Sequence, residues 1–152
     1  MPHWRLPQQG PSPGQENPNG HGSFTLQPFG GGMATDAVRA EYADVLSWDK
    51  AFAEAAEQYR MLWNKGVLGS QRSLRYARAL MAVREYDAAS GLLEELARRE
   101  PGSTDVLEAR ADLAFVLRHY DRAEGFYRVL LSARRDDPLP YSKLADISIA
   151  RQ

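Results

Sequence analysis

The sequence predicts an all-α chain, built as a stack of antiparallel helical hairpins that follows a Pro- and Gly-rich N-terminal segment. Three observations carry that prediction. Composition changes abruptly near Thr35: residues 1–34 hold six of the nine Pro and seven of the twelve Gly, and Ala, Leu, Arg and Glu dominate afterwards. From there on, apolar residues recur at spacings of three and four, the helical period. Finally, "REYDAASGLLEEL" (Arg84–Leu96) is echoed 34 residues later by "RHYDRAEGFYRVL" (Arg118–Leu130).

Taken in order, residues 1–34 scatter their apolar side chains too thinly to form a core, so the segment is predicted to be a flexible tail or linker. Within it, "SFTLQPF" (Ser23–Phe29) alternates briefly like a short docking strand, and the linker reading is preferred. The Gly30–Gly32 run lacks the preceding strand and the following Lys-Ser/Thr of a phosphate-binding loop. Residues 35–152 are read as one helical repeat domain. Thr35 is placed to cap its first helix, Ser70 a later one, and Ser103 or Thr104 another. Gly66 sits where a left-handed residue would end a helix, and "EPGS" (Glu100–Ser103) is a break. "DDPLPY" (Asp136–Tyr141) is a second break, with Pro140 in the first turn of the last helix.

The echo extends over the whole helical region. A step of 34 takes Ala43 to Ala77, Ala111 and Ala145, and Phe52 to Tyr86 and Tyr120. The same step links Ala55, Ala89 and Ala123; Tyr59, Leu93 and Tyr127; and Leu62, Leu96 and Leu130. Small residues in two columns permit close helix crossing, aromatics open each second helix, and the bulky columns fill the space between units. Each hairpin leaves apolar faces that only stacking on neighbours covers.

These columns, with Pro101 at the end of the middle unit, resemble the tetratricopeptide repeat family: about three degenerate units (36–69, 70–103, 104–137) and a final helix, 138–152. The column that often holds Trp in that family reads Arg39, Ser73, Leu107 and Tyr141, and Val67 and Arg135 replace the closing Pro in the outer units. The resemblance implies a right-handed superhelical solenoid whose first helices line a concave groove. The groove residues it implies are Asp44, Ser47 and Trp48, then Gln71, Leu74, Arg78 and Met81. Asp105, Glu108, Asp112 and Phe115 follow, and Ser142, Asp146 and Ile149 complete the set. That set is acidic with apolar spots, so the expected partner is a protein or peptide segment with basic and apolar anchors. Acidic residues at most of these positions also argue against gripping a C-terminal carboxylate, which one subclass of the family does with Lys, Arg and Asn.

Composition narrows the function classes further. Lys+Arg 19 against Asp+Glu 20 gives a net charge of −1, without the basic excess a nucleic-acid binder carries. Without Cys there is neither a disulfide framework nor a thiolate site. No segment spans a bilayer, and "MPHWRLPQQGPSPG" has no apolar core of a secretory signal, which leaves cytoplasm and periplasm both open. Glu94 and Glu95 are adjacent and diverge by about 100° on a helix, so they are no acid/base pair. His119 has no companions at ligand spacing, and Trp63 is expected in the core. Arg98-Arg99 and Arg134-Arg135 end second helices, where they offset the dipole. No enzyme and no cofactor are expected. The leading expectation is a non-catalytic scaffold or adaptor. The alternative is a periplasmic scaffold piece of a bacterial export or secretion assembly, such as one for exopolysaccharide. Ile147 and Ile149 leave 138–152 open between a solvating cap and a helix covered by further repeats or a partner, including a second copy of the chain.

Overall fold

The computed structural model describes residues 35–152; the expectations for 1–34, including Ser23–Phe29 and Gly30–Gly32, lie outside the described residues. Among the described residues there are seven helices and no strand. They are α1 (Asp36–Trp48), α2 (Phe52–Asn64), α3 (Ser70–Ala82), α4 (Tyr86–Arg99), α5 (Thr104–Val116), α6 (Tyr120–Ala133) and α7 (Pro138–Ala150). The first helices start at 36, 70, 104 and 138, and the second helices at 52, 86 and 120, so every start repeats at a step of 34. The sequence period is therefore a period of whole hairpins.

Local chemistry sets the ends. The Thr35 hydroxyl accepts from the Val38 amide at 3.1 Å, and Ser103 accepts from Val106 at 3.2 Å. Asp137 accepts from Leu139 at 3.0 Å, with Pro138 supplying the first residue of α7. Ser70 does not cap α3. Gly69 takes that position, and the Ser70 hydroxyl instead donates to the Glu100 carboxylate at the end of α4.

The turn inside each hairpin is the same structure built three times. Lys50, Arg84 and Arg118 adopt left-handed backbone, with φ of 64°, 66° and 63°. The following amide (Ala51, Glu85 or His119) donates back to the carbonyl of Leu46, Leu80 or Ala114, at 2.8 Å in all three turns. The left-handed residue itself donates to Ser47, Met81 or Phe115 at 3.0–3.1 Å. This pair of bonds closes a helix C-terminus and usually employs Gly. Here three basic side chains occupy it, each against a steric cost of about 1–2 kcal/mol. The echoed "REYD" and "RHYD" thus begin at the residue that reverses the chain. Gly66, with φ of 76°, ends α2 as its position predicted.

Ala43, Ala77 and Ala111, and likewise Ala55, Ala89 and Ala123, are all completely buried. With only a methyl group at each crossing, paired helices approach closely, and Tyr59, Leu93 and Tyr127 with Leu62, Leu96 and Leu130 fill the layer between hairpins. A fully buried Leu of this kind contributes about 2–3 kcal/mol. Phe52, Tyr86 and Tyr120 are half-buried at the starts of the second helices, and Tyr120 meets the Phe115 ring edge-on at 5.8 Å. Trp63, expected in the core, is half-buried at its edge, with the Arg99 guanidinium over its ring at 4.8 Å. α1 packs on α3 and α3 on α5, whereas successive second helices make no comparable contact. The first helices therefore form the tighter, inner layer of the array.

Candidate functional site

The inner layer presents two kinds of residue, separated along each helix. Toward the carboxyl ends of the first helices lies an apolar row: Trp48, Met81, Phe115 with Val116, and Ile149. Trp48 is 65% exposed and Ile149 66%, large apolar side chains left in water near the carboxyl ends of the first and the last of these helices. Cations from the next unit lie over two of these aromatics: Arg75 over Trp48 at 5.8 Å and Lys143 over Phe115 at 4.8 Å. Leu74, nearer the amino end of α3, is buried and belongs to the core.

Toward the middle of the same helices lies a row of charges that the chain itself pairs. Asp44 is 4% exposed; it accepts a 2.6 Å hydrogen bond from the Tyr59 hydroxyl and ion pairs from Arg72 at 2.9 Å and Arg75 at 3.1 Å. Burial alone would push this carboxyl up, but the hydrogen bonds from Tyr59 and Arg72 and the two guanidinium charges hold it below the usual carboxylate range. Burial and the adjoining carboxylate drive the Tyr59 hydroxyl far above its ordinary value, so it stays a donor. Two units later the arrangement recurs: the Tyr127 hydroxyl donates to Asp112 at 2.6 Å and is pushed up for the same reasons. Arg78 reaches Asp112 at 3.4 Å and Glu108 at 3.8 Å. Arg134 binds Glu108 and Asp105, each at 2.6 Å, and Thr104 at 2.9 Å. Of the five acids in the sequence-derived groove, only Asp146 is exposed without an ion pair or hydrogen bond among the described residues.

The two Asp–Tyr bonds lie 68 residues apart, and the unit between them has Arg78 and Leu93 in the corresponding places. Sequence reasoning tracked each column separately and missed that they change together. The signal was present: the first-helix column reads Asp, Arg, Asp while the second-helix column reads Tyr, Leu, Tyr.

Elsewhere, Glu94 pairs with Arg110, while Glu95 pairs with Arg98 and Arg99, whose hydrogen bonds keep it acidic. Among the described residues no group of His, Asp and Glu is arranged to hold a metal ion, and no helix is long and apolar enough to cross a membrane. The inner face can hold a segment by apolar contact flanked by fixed charges.

In comparison with known proteins, the Tetratricopeptide repeat family matches residues 71–113, which span α3, α4 and most of α5. No match was found among curated proteins or among solved structures. The matched hairpin recurs on either side at the same 34-residue step, so the seven helices form an array of the tetratricopeptide repeat type.

Proposed function

We propose that this chain is a non-catalytic scaffold that holds a segment of another protein along the inner face of its first helices. Repeats of this family generally mediate protein–protein contact. The observation that carries the reading is the set of apolar residues near the carboxyl ends of the first helices, of which Trp48, Val116 and Ile149 are exposed and Met81 and Phe115 half-buried. α1, α3 and α5 pack side by side, for which about 8–10 Å is typical, and a helical partner advances about 10 Å in seven residues. A segment with a large apolar residue at every seventh position therefore meets successive anchors.

The internal pairing of Asp44, Asp105, Glu108 and Asp112 changes what the partner has to supply. Those acids already have arginine partners, so they fix the geometry of the floor, and basic anchors on the segment are left chiefly with Asp146. The test is co-purification with the wild-type chain, followed by binding measurements with the purified partner. Trp48→Ala with Phe115→Ala is expected to weaken binding at least tenfold while helix content is retained. Unchanged affinity in that double variant overturns the groove reading.

A further inference from the structure

A second surface, independent of the groove, lies on α1. Each later first helix is seated by one face on the hairpin before it. In α5 that face is Val106, Ala109 and Leu113, all buried in the core shared with α4. In α3 it includes Ala79, completely buried, and in α7 it includes Ile147, buried against α6. Two steps of 34 earlier, the places of Val106, Ala109 and Leu113 are held by Val38, Glu41 and Val45. All three are exposed, the two valines at 47% each. α1 is therefore packed on α2 and α3 but open on the face where its counterparts receive a preceding second helix.

The chain ahead of α1 says what fits there. On the 34-residue grid the covering second helix would fall at residues 18–30, and the sequence is unsuited to one, with Pro18, Gly20, Gly22, Pro28 and Gly30 in that stretch. The same stretch contains "SFTLQPF" (Ser23–Phe29), uncharged and followed by Gly30–Gly32. Pro28 biases Gln27 toward extended backbone. Polyproline II geometry, with three residues per turn, then puts Leu26 and Phe29 on one side, about 9 Å apart. Val38 and Val45, seven residues apart on a helix, are separated by about 10 Å. Gly30–Gly32 supplies the backbone freedom for the chain to double back before Thr35 caps α1. We propose that Ser23–Phe29 docks in extended form along the open face of α1, antiparallel to the helix, with Phe29 over Val38 and Leu26 over Val45. A short covalent link gives the segment an effective concentration on the order of millimolar. It therefore needs far less contact than a separate chain, for which roughly 800 Å² per partner is standard.

The chain has no Cys, so Thr25→Cys gives a single attachment point for a nitroxide, between Phe24 and Leu26. In the full chain under ¹⁵N NMR, the label is expected to broaden the α1 amides from Val38 to Val45 and to leave those of α5 and α6 sharp. Leu26→Ser with Phe29→Ser, both outside the helical region, is expected to remove that broadening. In the same double variant, amide exchange in α1 is expected to speed up roughly tenfold, with α5, α6 and the helical signal unchanged. Val45→Lys, a change at an exposed position, is expected to remove the broadening as well. The proposal is overturned by broadening that is absent, centred on another helix, or undiminished in either variant. It is equally overturned if α1 exchange is indifferent to the double substitution. Broadening that passes to ¹⁵N chains without a nitroxide, mixed with labelled ones, assigns the face to a second copy and also overturns it.

Discussion

Tyr59→Phe isolates the Asp–Tyr bond from everything around it. The ring stays and fills the same volume, so no cavity forms, and only the hydroxyl that donates to Asp44 at 2.6 Å is removed. A hydrogen bond to a charged group contributes about 1.5–3 kcal/mol. Arg72 and Arg75 still hold the carboxylate, which places the expected loss in the lower half of that range, about 1.5–2 kcal/mol. For a helical region of this size that corresponds to a fall in Tm of roughly 5–12 °C. The loss is also pH-dependent with a definite sign. The carboxyl of Asp44 is held below its unfolded value, so its stabilisation is fully present above about pH 4 and is lost as pH falls through the lower folded value. The hydroxyl is one of the groups holding it down, so wild type and variant should differ fully at neutral pH and converge in strong acid. Urea denaturation followed by circular dichroism at pH 7 and at pH 3 measures both. A loss below about 0.5 kcal/mol at pH 7, or a difference that widens in acid, refutes the assignment of the bond as a structural clamp.

Other consequences are as direct. Arg84→Gly or Arg118→Gly relieves left-handed strain and is expected to raise stability by up to about 1 kcal/mol in thermal denaturation, after the extra flexibility of the unfolded chain is offset. Ala111→Leu overfills a completely buried crossing and should cost about 1–3 kcal/mol, whereas Ala145→Leu, at the same register in exposed α7, should stay within about 0.5 kcal/mol of wild type. Equal effects at the two positions in matched chemical denaturation would contradict that difference in burial. Arg134→Ala removes the cation that Asp105, Glu108 and Asp137 share, and its destabilisation should be larger at low than at high salt.

Spacing made the architecture legible in the sequence. Alanine columns at 34-residue steps and aromatics at fixed offsets after them specify hairpins and their contacts, and the helix starts fall on the same grid. Caps were legible wherever the side-chain oxygen was free for the backbone, as at Thr35 and Ser103, and misread at Ser70, whose hydroxyl serves Glu100 instead. The left-handed turns at Lys50, Arg84 and Arg118 escaped notice because nothing local marks a long basic residue for positive φ; only the bonds closing around it do. The candidate groove was legible as a list of positions but not as an electrostatic surface. Whether Asp112 or Glu108 faces water free or neutralised depends on which guanidinium arrives from a helix 26 to 34 residues away, as Arg134 and Arg78 do.

Site-specific photo-crosslinking puts the scaffold reading to its most direct test. A benzophenone side chain is placed in the full chain at Trp48, Phe115 or Ile149 on the inner face, and at Val67 or Val129 as exposed controls elsewhere. Irradiation in extract from the producing cells, followed by mass spectrometry, reads out what each position touches. One and the same partner protein crosslinked at the three inner positions and absent from the controls is the predicted result. Capture of that protein equally from Val67 and Val129, or no adduct at any inner position, contradicts the assignment of function to the first-helix face.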